Sequence, residues 1–253
     1  MPWPARRRTR HDRAGSETVS ITAQLAEPAW LIFAQALELD WEGWRGEPRD
    51  WHGRWAHEGS APAAGAEKYI RQMTGKLRPR ELGEYDTPAY KQDVLNPAFR
   101  YTPEQAAAIH GYAEHYQEIQ DAARTGKDHA GADAIGSAMQ PLPQDLILLR
   151  EVSGKHALDD VNPGDVIADQ GFSSTTLRTG NRYASGRDDT TVMHILTPAG
   201  TPAVWADPVS EYPEDEMILD RGQALVMIKK QVRASKSTVT DAYFLAVPKD
   251  AVT

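Results

Sequence analysis

The sequence predicts an α+β domain, with a block of helices followed by a block of strands. From Tyr101 to Met139 apolar residues recur at spacings of three and four. After Pro143 the apolar runs become short and are separated by turn residues. The two patterns occupy separate blocks and do not alternate, which favours α+β over βαβ units. With 253 residues and 40% apolar side chains, the chain is long enough to bury such a core. We expect helices in front and two packed sheets behind.

Thr102-Pro103-Glu104-Gln105 starts the first long helix. Thr102 is the N-cap, Pro103 suits the first turn, and Gln105 closes a capping box. Ala106, Ile109, Tyr112, Ala113, Tyr116, Ile119 and Ala123 then mark one face, and Thr125-Gly126 ends it. A shorter helix is expected over 131–139, stopped by Pro141 and Pro143. Strands are expected over 146–152, 166–168, 171–177, 191–196, 203–206, 217–219, 225–228 and 243–247. Asn162-Pro163-Gly164-Asp165 is a turn.

The first hundred residues are a different kind of sequence. Six of the seven tryptophans precede residue 56. Residues 27–39 fit an amphipathic helix through Trp30, Ile32, Phe33, Ala36 and Leu37. Residues 41–66, rich in Gly, Pro and charge, read as a linker. Its Trp–Arg alternation either stacks on a partner or docks on the chain's own domain. We therefore divide the chain into an extension, 1–100, and a domain, 101–253.

Charge and composition exclude several classes. The net charge is −8, yet residues 1–13 carry +4, which leaves −12 on the rest. The basic arm reads as a disordered tail, with a polyanion contact as the alternative. An acidic body argues against broad binding to a phosphate backbone, so nucleic acid is not expected beyond that arm. The absence of cysteine removes disulfide and thiolate chemistry. No run of eighteen apolar residues predicts a membrane span, and no apolar segment follows the basic start as a secretory signal would require. The eight histidines lack metal-ligand spacing, so no metal is expected.

Three features in chain order suggest chemistry. Arg150 interrupts the apolar run LILLREV, so it must be paired or face a cleft. Glu151 and Asp165 are the candidate structural partners. Gly171-Phe172-Ser173-Ser174-Thr175-Thr176 offers hydroxyl donors that can hold a carboxylate, or is an ordinary strand of β-formers. In YPEDEMILD, Glu214 and Glu216 stand two apart before an apolar strand. In an extended chain they share a face. Two like charges that close persist where a cation is expected, although a solvated acidic loop gives the same pattern.

Arginine in a strand, Ser-Thr-Thr on the next and Glu-x-Glu before a third is a specific order. With the leading helix of Tyr112 and Tyr116, the strand LLRE, NPGDVIADQGFSSTT and YPEDEMILDRGQALVMI, the chain resembles the arginine–serine–glutamate class of mono-ADP-ribosyltransferases. Clostridial binary toxins and vertebrate ecto-transferases make up that group. The resemblance runs from about Tyr101 to Val247, and the third hydroxyl of the family triplet is Thr176 where relatives carry Ser.

The resemblance implies an α+β ADP-ribosyltransferase fold, with N-terminal helices packed on two small mixed or antiparallel sheets that flank an NAD cleft, 101–253 as catalytic domain and NAD as co-substrate. Glu216 matches the catalytic glutamate facing the ribose as nicotinamide departs. Ser174 would orient it. Arg150 would hold the phosphate and ribose, with Glu151, Thr175, Tyr183 and Arg187 as further NAD contacts. Glu214 matches the acid that marks arginine-modifying relatives, and Tyr212 would help recognise the acceptor, an arginine-bearing target protein. An NAD glycohydrolase and a catalytically silent phage structural module are the alternatives, the latter because RDWHGRWAHEG resembles linkers of actinobacterial phage head proteins. Cytoplasmic, virion-associated and actively delivered locations all remain open.

Overall fold

The computed structural model describes residues 49–50, 69, 73, 87–153, 158–178, 190–211, 214–234 and 238–249. The basic arm, the helix expected over 27–39, and Tyr183, Arg187 and Tyr212 lie outside the described residues. Within the segment read as linker, Arg49–Asp50 forms a two-residue strand, β1.

Thr87 caps a helical stretch built from α1 (Pro88–Tyr90), a π-helical turn over Lys91–Leu95, and α2 (Asn96–Ala98). Tyr90, Leu95 and Phe99 are buried in the main core, so this stretch shares a core with the residues beyond 101.

The capping box forms as expected at the start of α3 (Pro103–Glu114). Thr102 Oγ1 accepts the Gln105 N–H at 3.3 Å, and Gln105 Oε1 accepts the Thr102 N–H at 2.9 Å. The single helix expected up to Thr125 is instead broken at His115, with φ −114° and ψ 29°, and resumes as α4 (Tyr116–Thr125). A continuous helix would stack positions 112 and 116 on one face. The break leaves Tyr112 buried and Tyr116 37% exposed, with their rings in edge contact at 5.4 Å. Gly126, at φ 65°, ends α4 in the left-handed conformation that glycine tolerates. Helix α5 (Ala130–Ser137) is capped by His129, whose Nδ1 accepts the Ala132 N–H.

The strands are β2 (Gln140–Pro141), β3 (Leu146–Ser153), β4 (Val166–Ala168), β5 (Ser173–Thr176), β6 (Thr190–Thr197), β7 (Pro202–Trp205), β8 (Glu216–Leu219), β9 (Ala224–Ala234) and β10 (Thr238–Val247). They form one mixed sheet in the order β1-β4-β9-β10-β6-β3-β5-β8-β7-β2. The α+β class stands, and the two expected sheets are two halves of one. Their joint is β3–β5, where the register is the single pair Leu149–Thr176, whereas β3 pairs with β6 over all eight of its residues. Strands held by one pair diverge on either side of it, and this opens the sheet into a cleft.

Side-chain alternation explains how the second half is buried on both faces. Ala203, Trp205, Met217 and Leu219 enter the main core with Leu95, Phe99 and Phe244. Val204, Ala206 and Ile218 enter a second core under the helices, with Ile109, Tyr112, Ile119, Ile135 and Phe172. Tyr101 ties the helices to β7. Its hydroxyl donates to the Trp205 carbonyl at 2.9 Å and accepts the Trp205 N–H at 2.8 Å. The Trp205 indole N–H reaches Asn96 Oδ1 at 3.0 Å. Strands β9 and β10 outrun the apolar segments 225–228 and 243–247, because cross-strand pairing continues through Lys229, Lys230 and Asp241 where hydrophobicity stops.

Candidate active site

A cleft of about 340 Å³ opens where β3 and β5 part. Leu149, Arg150 and Glu151 line it from β3, Ser174, Thr175 and Thr176 from β5, Glu214 from the turn before β8, Glu216 from the first position of β8, and Tyr116 from α4. Six of the nine residues singled out in the sequence thus meet in one cavity. The other three, Tyr183, Arg187 and Tyr212, are the ones outside the described residues.

Strand pairing fixes the central contact. Ser174 stands opposite Ile218 and Thr176 opposite Glu216, so Ser174 and Glu216 are diagonal neighbours on adjacent strands. The Ser174 hydroxyl donates to Glu216 Oε1. Burial pushes the Glu216 carboxyl above the usual carboxylate range, the Ser174 hydrogen bond pulls it back, and the charge of Glu214 adds to the rise. The remaining hydroxyls face the protein. Thr175 Oγ1 donates to the Met217 carbonyl at 2.6 Å, and Thr176 Oγ1 donates to the Glu214 carbonyl at 2.8 Å.

Glu214 and Glu216 reach the same cleft by a route other than the extended chain expected from their spacing. Asp215, between them, has φ 54° and is buried. The turn at Asp215, followed by entry into β8, brings both glutamates to the cavity.

Arg150 has a side chain 12% exposed, and its guanidinium lies 3.8 Å from Asp169, a partner other than the two proposed from sequence. Asp169 in turn accepts two parallel hydrogen bonds from Arg124, both at 2.9 Å, and one from the Gly171 N–H. Burial works against the Asp169 charge, but Arg124, the Gly171 amide and Arg150 together hold its carboxyl below the usual range. Asp169 and Arg124 therefore brace Arg150. The sequence signal for Asp169 was its place in ADQGF, just before the hydroxyl run. For Arg124 nothing distinguished it from a basic residue ending a helix.

The turn into β5 is braced from α4. Fully buried Gln120 accepts the Phe172 N–H at 2.8 Å and donates to the Phe172 carbonyl at 2.6 Å and to the Tyr112 hydroxyl at 2.7 Å. Gly171 is required there, because a Cβ would sit 2.1 Å from Gln120 Oε1. Among the described residues no group of three or more His, Asp or Glu is arranged to hold a metal ion, and no helix is long and apolar enough to cross a membrane.

Comparison with known proteins identifies the family and the fold. A family model described as ADP-ribosyltransferase exoenzyme matches residues 66–245. No curated protein matches the chain in sequence. Among solved structures, an ADP-ribosyltransferase from Clostridium botulinum superposes with a TM-score of 0.52 at 16% identity, over 63% of this chain and 96% of that one. An ADP-ribosyltransferase toxin from Paenibacillus larvae gives 0.51 at 17% identity over 58% and 88%. The ADP-ribosylating toxin of a binary enterotoxin of C. perfringens, solved with NADH, gives 0.53 at 17% identity over 66% of this chain and 50% of its own. The structural likenesses establish the fold, and the family match, which spans well over half of the sequence, establishes that this chain belongs to the ADP-ribosyltransferase exoenzyme family.

Proposed function

We propose that this protein transfers ADP-ribose from NAD to an arginine side chain of a target protein and releases nicotinamide. Transfer of ADP-ribose from NAD follows from the family; the arginine acceptor and the residue roles are our reading. The observation that carries it is the Ser174–Glu216 hydrogen bond, made inside a cleft that also holds Arg150 and Glu214.

In this reaction the bond between ribose C1′ and the nicotinamide nitrogen breaks, and its electron pair leaves with nicotinamide. Positive charge grows on the ribose ring, as it does at a glycosidic carbon. A carboxylate already oriented and partly desolvated stabilises that charge more than it stabilises neutral ribose. Glu216 takes this role and Ser174 holds its oxygen. Arg150, kept in place by Asp169, offers a planar fork of donors to the NAD phosphate and ribose. Thr175 lines the cleft but gives its hydroxyl to the Met217 carbonyl, so any contact with NAD comes from the rest of the residue. The acceptor guanidinium pairs with the Glu214 carboxylate. One of its nitrogens bonds to C1′ and its proton passes to Glu214. Tyr183, Arg187 and Tyr212 keep their proposed roles as NAD and acceptor contacts.

The test is incubation with labelled NAD and agmatine. Wild type should form both nicotinamide and an ADP-ribosyl-agmatine adduct. Glu216→Gln should lose both, and Glu214→Gln should lose the adduct while still releasing nicotinamide. Nicotinamide without adduct in the wild type would remove the arginine acceptor and leave water or another side chain in its place. Full activity in Glu216→Gln would remove the assignment.

A further inference from the structure

The residue between the two glutamates is anchored more firmly than either of them. Asp215 has a side chain 3% exposed, and its carboxylate pairs with Lys91 Nζ at 2.5 Å and with Arg178 Nε at 2.9 Å. Its carbonyl accepts the Leu177 N–H at 3.0 Å. Asp207, next to it, accepts the Glu216 N–H at 3.1 Å, while the Glu216 carbonyl accepts the Ala206 N–H at 3.0 Å. Thr176 holds the Glu214 carbonyl and also accepts the Arg178 N–H at 3.0 Å. The backbone groups that set the direction of Glu214 and Glu216 are thus tied to this cluster or to the adjoining strand ends.

We propose that Lys91, Arg178, Asp207 and Asp215 are positioning residues that set Glu216, and through the same turn Glu214, for reaction with NAD. None of the four lines the cleft, so they act through the glutamates. Asp215 is the only described non-glycine residue at positive φ, a conformation that Asp tolerates better than most L-residues but that still needs its surroundings to hold it. Two cations gripping one buried carboxylate supply that constraint. One of them, Lys91, opens the π-helical turn, whose Asn96 N–H bonds back to the Lys91 carbonyl. Such turns recur at functional sites because they re-aim one residue within a helix. Asp215 pairs with both Lys91 and Arg178, and Asp207 lies against Asp215 and within the field of Lys91, so the cluster sets two carboxyls against two cations. Burial and its neighbour Asp215 push the Asp207 carboxyl up to about 6, against the pull of the Glu216 N–H. Burial also opposes the Asp215 charge, but Lys91 and Arg178 hold that carboxyl below its usual range.

The proposal rests on Glu216 being the carboxylate that drives NAD cleavage. It is tested with the full chain by measuring kcat and KM for nicotinamide release in Lys91→Met, Lys91→Arg, Asp207→Ala and Asp207→Asn. Lys91→Met and Asp207→Ala should lower kcat by about 10- to 100-fold, the range a misplaced catalytic group produces. KM for NAD should stay within about twofold, because the groups that bind it are untouched. Lys91→Arg restores the charge and Asp207→Asn restores the acceptor for the Glu216 amide, so both should return to within about threefold of wild type. If Lys91→Met fails to fold, the Asp207 pair decides alone, since Asn keeps the acceptor for the Glu216 amide that Ala removes. An active wild type whose kcat is unchanged by Lys91→Met and Asp207→Ala, or conservative variants that rescue nothing, would overturn the positioning role alone. A wild type that releases no nicotinamide would overturn the functional reading and this role with it.

Discussion

Replacing Ser174 by alanine removes one donor and leaves the Glu216 carboxylate half-buried in the cleft it shares with Tyr116 and Glu214. The Ser174 hydroxyl donates to Glu216 Oε1, and that bond is what lowers a carboxyl otherwise raised by burial. A hydrogen bond to a charged group contributes about 1.5–3 kcal/mol. One pH unit corresponds to about 1.4 kcal/mol of preference between protonation states. If the bond favours the ionised form by that full amount, its loss moves the acid limb of the rate profile up by about one to two pH units. The sign follows from the chemistry: the ionised carboxylate is the active form, so activity rises with pH through its pKa, and the variant needs a higher pH to reach the same rate. Below both limbs the rate should fall by about 10- to 100-fold, and on the alkaline plateau by less. The assay is initial nicotinamide release across the acid and neutral range at saturating NAD. An acid limb at the same pH in both proteins would refute the claim that Ser174 acts on the charge of Glu216.

Glu216→Gln keeps an acceptor for Ser174 but removes a buried charge. The native carboxyl has a raised pKa, so it contributes stability at low pH that is lost as pH rises through that value. The variant should therefore melt higher than wild type at about pH 7.5 and close to wild type at about pH 4. Gly171→Ala should destabilise the fold by about 2–4 kcal/mol in urea titrations, because Gln120 is held on three hydrogen bonds and cannot yield to the new methyl. The Asp207 carboxyl, raised to about 6, also favours the folded state at low pH and loses that contribution as pH rises through about 6. Asp207→Asn should accordingly gain stability over wild type at about pH 7.5 and little at about pH 4, measured as the shift in urea midpoint.

What could be read without coordinates was local. The capping box at Thr102, the end of the helix at Gly126 and the apolar strand centres each depend on residues a few positions apart, whose backbone needs are met within the element. The Arg150, Ser174, Glu214 and Glu216 set was legible through the order of its three motifs, which resembles that of a known family, and the fold carried all four into one cavity. The break at His115 was not legible. The apolar period runs straight through it, and only packing against the second core separates buried Tyr112 from half-exposed Tyr116.

Pattern alone determined that the long helices precede most of the strands and where the strands centre, because alternation and capping are properties of short segments; the four side chains to follow came from the resemblance to a known family. Tertiary structure decided the rest. It joined two sheets through the single pair Leu149–Thr176 and so opened the cleft, and it brought Lys91 from the N-terminal side of the supposed boundary to the turn between the glutamates. It also paired Arg150 with Asp169 and Asp169 with Arg124. These choices join residues far apart in the chain, where a buried charge is satisfied by whichever opposite charge the fold delivers, and no spacing along the sequence encodes that partner.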